Sequence, residues 1–247
     1  MWKVVPIQGR QLLDVRQEDL FGDFRLCETY RGGGGYDMFP KICKKRNLLP
    51  NLDESELSKQ FVVQLYGCPL DCHYCYVTHS GVFGKVKHHS TESLIKAFEA
   101  SGTNVFHLMG GAPALYLEHW SDIVDRLPTN TIFHSDLMLI EKEYDINWLL
   151  RLRRDNVLLA VNIKGVTSED FYKNTQRRLN WNLLKNNLAK LIVADVNFYI
   201  TFTNPDKTNL SKFMLEMSLE FGDSIFEDSY IIDLVIYEAI KHKEIVI

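Results

Sequence analysis

Long apolar runs are missing from this chain. No stretch of about 18 apolar residues occurs, so no helix is expected to span a membrane. The opening Met1-Trp2-Lys3-Val4-Val5-Pro6 has no apolar stretch of the signal-peptide kind. A basic excess is missing too: 28 Lys and Arg stand against 32 Asp and Glu, so no strong nucleic-acid signal is present. Cysteine is scarce, five in 247 residues, and an odd count with three crowded together argues against an extracellular disulfide framework. Neither a Walker-type phosphate loop nor a Ser-His-Asp motif is found. These absences lead to the expectation of a cytoplasmic, reducing location. Hydrophobic residues make up 46%, enough for a sizeable core without disulfide staples.

The crowded cysteines are the most informative feature present. They read Cys68-Pro69-Leu70-Asp71-Cys72-His73-Tyr74-Cys75 and follow an apolar, strand-like run from Phe61 to Tyr66. Three thiolates on one tight loop suit three corners of an iron–sulfur cube, which leaves the fourth iron open to a small molecule. Spacing alone leaves two other readings open. Cys72 and Cys75 form one C-x2-C pair, which His73, His79, Cys27 or Cys43 would extend to a structural zinc set. The third reading is a group of inert buried thiols.

Residues 1–60 read differently from the rest. They hold Arg31-Gly32-Gly33-Gly34-Gly35, expected as a flexible surface loop or a substrate lid. They also hold a basic stretch, Lys41 to Arg46, expected as a solvated face, and an acidic one, Asp53 to Glu56. Cys27 and Cys43, lying there, are expected to be ordinary thiols. From Phe61 onward, strand-like runs at 61–66, 104–109, 131–134, 157–163, 196–203 and 230–237 alternate with helix-like segments. The latter include Thr91 to Ser101, Leu117 to Arg126, Ile146 to Arg154, Trp181 to Ala189 and Leu210 to Phe221. A helix after each strand predicts parallel strands joined by right-handed crossovers. At about 30 residues per βαβ unit, residues 61–247 hold roughly six units. The expected fold is therefore α/β, a partly open (β/α)6 barrel over 61–247 with an N-terminal extension over 1–60. A doubly wound open sheet is the alternative.

In parallel α/β folds chemistry collects at the carboxyl ends of the strands. Four unusual stretches lie at such ends: the cysteine loop, Gly110-Gly111-Ala112-Pro113, His134-Ser135-Asp136 and Asn162-Ile163-Lys164-Gly165. Gly110 and Gly111 let main-chain carbonyls and amides approach a ligand, and Pro113 fixes the exit of the turn. Such a loop suits an ammonium group. Lys164 suits a carboxylate, Ser135 and Asp136 suit polar ligand groups or an ion, and Tyr74 offers a flat face for an aromatic ring. An open iron beside these sites describes an amino-acid head joined to a purine nucleoside.

On these residues the chain resembles the radical S-adenosylmethionine (SAM) superfamily. Its cysteine loop matches the C-x3-C-x-aromatic-C signature, with Tyr74 as the aromatic residue, and Gly110 to Pro113 resembles the family's GGEP loop. The motif order is similar to that of the pyruvate formate-lyase activating enzyme and related glycyl-radical activases. Asn162-Ile163-Lys164 resembles their D-x-K motif, Thr167 to Thr175 the helical segment after it, Phe198 to Pro205 their fifth strand, and Leu234 to Glu238 with Lys241 to Lys243 the sixth strand and tail. Three positions depart from the pattern: Ala112 and Asn162 replace acidic residues, and His134-Ser135-Asp136-Leu137 lacks a glycine. The resemblance implies a [4Fe-4S] cluster on Cys68, Cys72 and Cys75. SAM would chelate the open iron, held among Tyr74, Gly110, Gly111, Ala112, Pro113, Ser135, Asp136, Asn162 and Lys164. An electron donor such as flavodoxin or ferredoxin is implied. Reductive cleavage would then give a 5′-deoxyadenosyl radical that abstracts hydrogen from a small-molecule, nucleotide or peptide substrate, the work of an oxidoreductase or lyase. The alternatives are an activase placing a radical on a glycine of a glycyl radical enzyme, and a non-catalytic iron–sulfur or zinc-binding interaction protein.

Overall fold

The computed structural model describes residues 1–7, 16–28, 38–75 and 77–232, and for 16–21 and 27–28 the backbone alone. The glycine run at 32–35, the Cys27 side chain, Tyr237 and the expected strand end and tail beyond 232 lie outside the described residues. The chain enters through β1 (Trp2–Val4), followed by an antiparallel hairpin of β2 (Arg16–Phe21) and β3 (Phe24–Glu28). Two short helices follow, α1 (Met38–Lys45) and α2 (Glu54–Ser58). Asp53 starts α2 with a capping box: its carboxylate accepts the Glu56 N–H at 2.8 Å, and the Glu56 carboxylate accepts the Asp53 N–H at 2.7 Å.

The rest alternates as the apolar runs require. β4 (Lys59–Leu65) leads through α3 (His79–Phe83) and β5 (Lys87–His89) to α4 (Thr91–Ser101) and β6 (Val105–Gly110). Then come α5 (Trp120–Val124), β7 (Ile132–Leu137), α6 (Ile146–Leu150), β8 (Val157–Ile163), α7 (Ser168–Thr175), α8 (Trp181–Val193), β9 (Phe198–Thr203), α9 (Lys207–Phe221) and β10 (Ser229–Ile232). Ser90 starts α4 by accepting the Ser93 N–H at 3.1 Å. Strands β4, β6, β7, β8, β9 and β10 pair side by side in that order, all parallel. The order never reverses, which a doubly wound sheet would require. Among the described residues β4 does not pair with β10. Its outer edge is taken by antiparallel partners, β3 along Lys59–Val62 and β1 at Leu65. The result is the open, partial (β/α)6 barrel expected. Strands β1, β2, β3 and β5 are additions that the apolar pattern does not announce. Among the described residues no helix is long and apolar enough to cross a membrane.

Alternation along each strand separates two faces. Phe61, Val63, Leu65, Phe106, Leu108, Phe133, Leu159, Val161, Ile200 and Phe202 point outward to the helices. There they pack with Leu94 and Phe98 of α4, Leu184 and Leu188 of α8 and Phe213 and Met217 of α9. Each such side chain contributes roughly 1.5–3 kcal/mol on burial. The inward face begins with Val105, Ile132, Leu158, Ala160 and Tyr199, and these meet Phe39, Ile42 and Cys43 of α1 and Leu57 of α2. Positions 39, 42 and 43 share one face of α1, while Lys41, Lys44 and Lys45 lie elsewhere on the helix. α1 therefore plugs the concave side of the sheet and gives the barrel a floor. Burial pushes the Cys43 thiol up to about 12. This cysteine is a packed core thiol.

The plug is pinned at its carboxyl end. Lys45 Nζ and Arg46 Nε donate to the Asp228 carboxylate at 2.5 and 2.8 Å, and Arg46 Nη2 donates to the Phe198 carbonyl at 2.8 Å. Burial alone would raise the Asp228 pKa, but the bonds and charges of Lys45 and Arg46 outweigh it and hold the carboxyl below its ordinary value. Native Asp228 thus binds its proton less readily than the unfolded chain does. Its contribution is present above the unfolded pKa of about 3.9 and is lost as pH falls through the lower folded value. Asp228→Asn is expected to lose about 1–3 kcal/mol at pH 7. Urea unfolding measures this, and the gap between wild type and variant should shrink below about pH 4.

Candidate functional site

The four stretches at the strand ends meet at one mouth. Leu65 and Gly110 are register partners on β4 and β6, so the turns that follow lie side by side. The Gly111 N–H donates to the Leu65 carbonyl at 3.1 Å, and the Ala112 N–H to the Gly67 carbonyl at 2.7 Å. A Cβ on Gly111 would lie 1.9 Å from the Gly67 oxygen, and one on Gly110, whose φ is +102°, would lie 2.9 Å from the Leu65 nitrogen. Only glycine permits this approach. The cysteine loop is tied further by the Gly67 N–H to the Val82 carbonyl at 2.9 Å and the Asp71 N–H to the Thr175 carbonyl at 3.0 Å. Arg177 Nε donates to the Pro69 carbonyl at 3.2 Å.

Cys68, Cys72 and Cys75 are free thiols, and all three line one cavity with Tyr74, Gly110, Gly111, Pro113, Asp136, Asn162 and Lys164. The cavity encloses about 150 Å³, an order of magnitude above the ~10–15 Å³ that a single water needs. Tyr74 is buried under the loop with Leu70, Cys72, Ala112, Met138 and Phe171. Lys164 Nζ stands 5.6 Å from the centre of its ring. Burial, helped by the neighbouring Cys72, pushes the Cys68 thiol up to about 12. A thiolate is favoured there only when a cation comes beside it, as metal coordination supplies. Among the described residues no three His, Cys, Asp or Glu side chains gather closely enough to hold a single ion.

Two expected site residues stand apart from the cavity lining. Ser135 faces the other side of β7, where its hydroxyl donates to the Leu108 carbonyl at 3.1 Å. Alternation turns it away from the cavity that Asp136 lines. Ala112 is fully buried against the cysteine-loop side chains, so at the turn only its backbone is on offer.

The segment after β8 works as a latch. Thr167 caps α7 by accepting the Asp170 N–H at 3.0 Å, and the Asp170 carboxylate accepts the Val166 N–H at 2.9 Å and the Asp206 N–H at 3.1 Å. Asn174 Nδ2 donates to the Lys164 carbonyl at 2.8 Å and the Asn204 carbonyl at 3.0 Å. These bonds fix the exits of β8 and β9 together and hold the backbone that carries Lys164.

Deeper in the cavity lie residues that apolar pattern reading missed: Phe39, His107, Tyr199 and Thr201, beside His134. Asn162 Nδ2 donates to Asp136 Oδ1 at 2.9 Å, and the Thr201 hydroxyl donates to Asn162 Oδ1. His107 Nε2 stands 3.6 Å from Asp136 Oδ2. Burial would raise the Asp136 pKa, but His107, His134 and Asn162 together hold it below the ordinary carboxylate value. The signal for this network was present as polar residues two apart within apolar runs: 134 and 136 on β7, 201 and 203 on β9.

The Radical SAM superfamily profile matches residues 62–213. The chain belongs to the radical SAM superfamily. Members of this superfamily are enzymes, and SAM and a [4Fe-4S] cluster are its cofactors. Solved structures of similar fold include anSMEcpe with bound AdoMet, at 18% identity and a TM-score of 0.49 over 68% of this chain and 47% of that one. Another is the radical SAM methyltransferase TsrM from Kitasatospora setae with cobalamin and a [4Fe-4S] cluster bound, at 11% identity and a TM-score of 0.49 over 68% and 35%. Methylornithine synthase (PylB) matches at 13% identity and a TM-score of 0.46 over 70% and 52%. The chain spans about half the length of these structures or less. No curated protein matches it at a significant level. The profile match supports the radical SAM superfamily and not the narrower likeness to glycyl-radical activases.

Proposed function

We propose that Cys68, Cys72 and Cys75 hold three irons of the [4Fe-4S] cluster and that SAM occupies the remaining iron from within the same cavity. The carrying observation is that three free thiols, a glycine turn pinned to their loop, and Lys164 all line one space. The donor set fits the group: soft sulfur ligands on one loop for iron, and an oxygen- and nitrogen-lined turn for the amino-acid head. When bound, the pair supplies a 5′-deoxyadenosyl radical that takes hydrogen from a substrate.

The chain's own residues position and exclude. The turn at Gly110 to Pro113 offers backbone groups to the SAM amino end, with the Ala112 side chain contributing none. Lys164 supplies a cation for the carboxylate and Tyr74 supports Lys164 through its ring. Asp136 and Asn162 form a linked polar pair on the inner wall. An outside one-electron donor of the flavodoxin or ferredoxin kind, in a reducing compartment such as the cytoplasm, completes the reading. Residues 1–60 act as an extension to the 61–247 barrel, with α1 as its floor. That floor, and the depth at which polar groups line the wall, favour a small molecule as substrate over a glycine carried on a folded partner.

The test is spectroscopic. Adding SAM to the anaerobically reduced, reconstituted protein should change the electron paramagnetic resonance (EPR) signal of the cluster. An unchanged spectrum at saturating SAM contradicts the open-iron assignment. Lys164→Met, which removes the charge and keeps the length, should raise the SAM concentration needed for the half-maximal change about tenfold, equivalent to about 1.4 kcal/mol.

A further inference from the structure

Three buried polar atoms at the inner end of the cavity have no hydrogen-bond partner: both ring nitrogens of His107, and Nδ1 of His134. Both imidazoles are 5% exposed, and their rings lie 4.3 Å apart. His107 Nε2 is 3.6 Å from Asp136 Oδ2, just beyond bonding distance. His134 Nε2 is hydrogen-bonded to the Tyr199 hydroxyl at 3.2 Å, and Phe39 of the floor helix covers the ring at 4.2 Å. His107 lies three residues before Gly110, about 10 Å inward of the mouth at the rise of a strand. A ligand held at the cysteine loop leaves this inner end to something else. Buried polar groups are almost always satisfied, so a cluster of three that are not, all in one cavity wall, points to a ligand.

We propose that His107 and His134 form the substrate subsite, and that it takes a small, non-anionic molecule bearing a hydroxyl or amine donor. This rests on the reading that SAM fills the mouth. The chemistry follows from the charges present. Asp136 Oδ1 is engaged by Asn162, and Oδ2 faces His107. A slight closing lets His107 Nε2–H donate to Asp136, which leaves Nδ1, sealed from solvent in this structure, as an acceptor that a ligand reaches by displacing the side chains packed over it. The Asp136 carboxylate repels an anion. Asp136 thus acts on the substrate through His107 as a positioning residue, and the aromatic ring of Phe39 bounds the subsite below.

Glycerol serves as the probe, with saturation-transfer NMR on the reconstituted protein in the presence of SAM. It should bind wild type, bind His107→Phe at least tenfold more weakly, and bind His107→Gln, which keeps an acceptor, within about threefold of wild type. Cluster content checks that each variant is folded. Glycerol binding that ignores His107→Phe, or no glycerol binding to wild type, would overturn the proposal. Wild-type protein whose cluster does not respond to SAM defeats the underlying reading instead.

Discussion

Cys72→Ala should leave a folded protein that assembles no stable [4Fe-4S] cluster and cleaves no SAM. Cys72 is a buried member of the triplet and packs with Tyr74, Ala112 and Phe171 on a loop whose backbone is tied to Val82, Ala112 and Thr175. That backbone network does not depend on the thiol, so the loop keeps its course when the sulfur goes. Two remaining thiolates cannot anchor three corners of a cube. Iron and sulfide content after reconstitution, together with the 5′-deoxyadenosine yield, measure the loss, which should reach the detection limit in both. Cys43→Ala is the matched control. It removes a buried thiol from the floor helix and should leave cluster content intact. Cluster assembly in Cys72→Ala equal to that in Cys43→Ala would remove the cysteine loop from the account.

The second large effect is structural and falls on Gly111. A methyl group there would sit 1.9 Å from the Gly67 carbonyl oxygen, and backbone cannot yield as a flexible side chain can. Gly111→Ala must push the turn after β6 away from the cysteine loop, breaking the Ala112 N–H bond to Gly67 at 2.7 Å and the Gly111 N–H bond to Leu65 at 3.1 Å. The expected cost is about 3 kcal/mol or more. For a domain of this size that lowers the melting temperature by at least about 6–12 °C. Cluster retention should fall with it, since the loop loses its brace. Thermal unfolding of the reconstituted variant reads both. A variant as stable as wild type would mean that the two turns are not in contact.

The parallel frame was legible because its strands are short apolar runs separated by capped amphipathic helices. Val157–Ile163 and Thr91–Ser101 fall where pattern alone put them. The floor was harder. Phe39, Ile42 and Cys43 have helical spacing, but Lys41, Lys44, Lys45 and Arg46 around them made the stretch read as a solvated basic face. Strand β1, three residues long, gives no usable period, and its pairing with Leu65 depends on contacts far along the chain. In the site, the cysteine loop and the glycine turn carry strong local signatures. Ser135 and Asp136 could not be told apart until the strand's facing was known. His107 was hidden because a histidine inside an apolar strand reads as core until the polar groups of the neighbouring strands are placed beside it.

The decisive measurement is 5′-deoxyadenosine formed by the anaerobically reconstituted protein with SAM and a strong one-electron reductant. Formation that requires both the reductant and the assembled cluster, and that disappears in Cys72→Ala, is the expected result. No 5′-deoxyadenosine from wild type with a fully built cluster would contradict it, and the cavity would then belong to a protein that binds the cluster without using it.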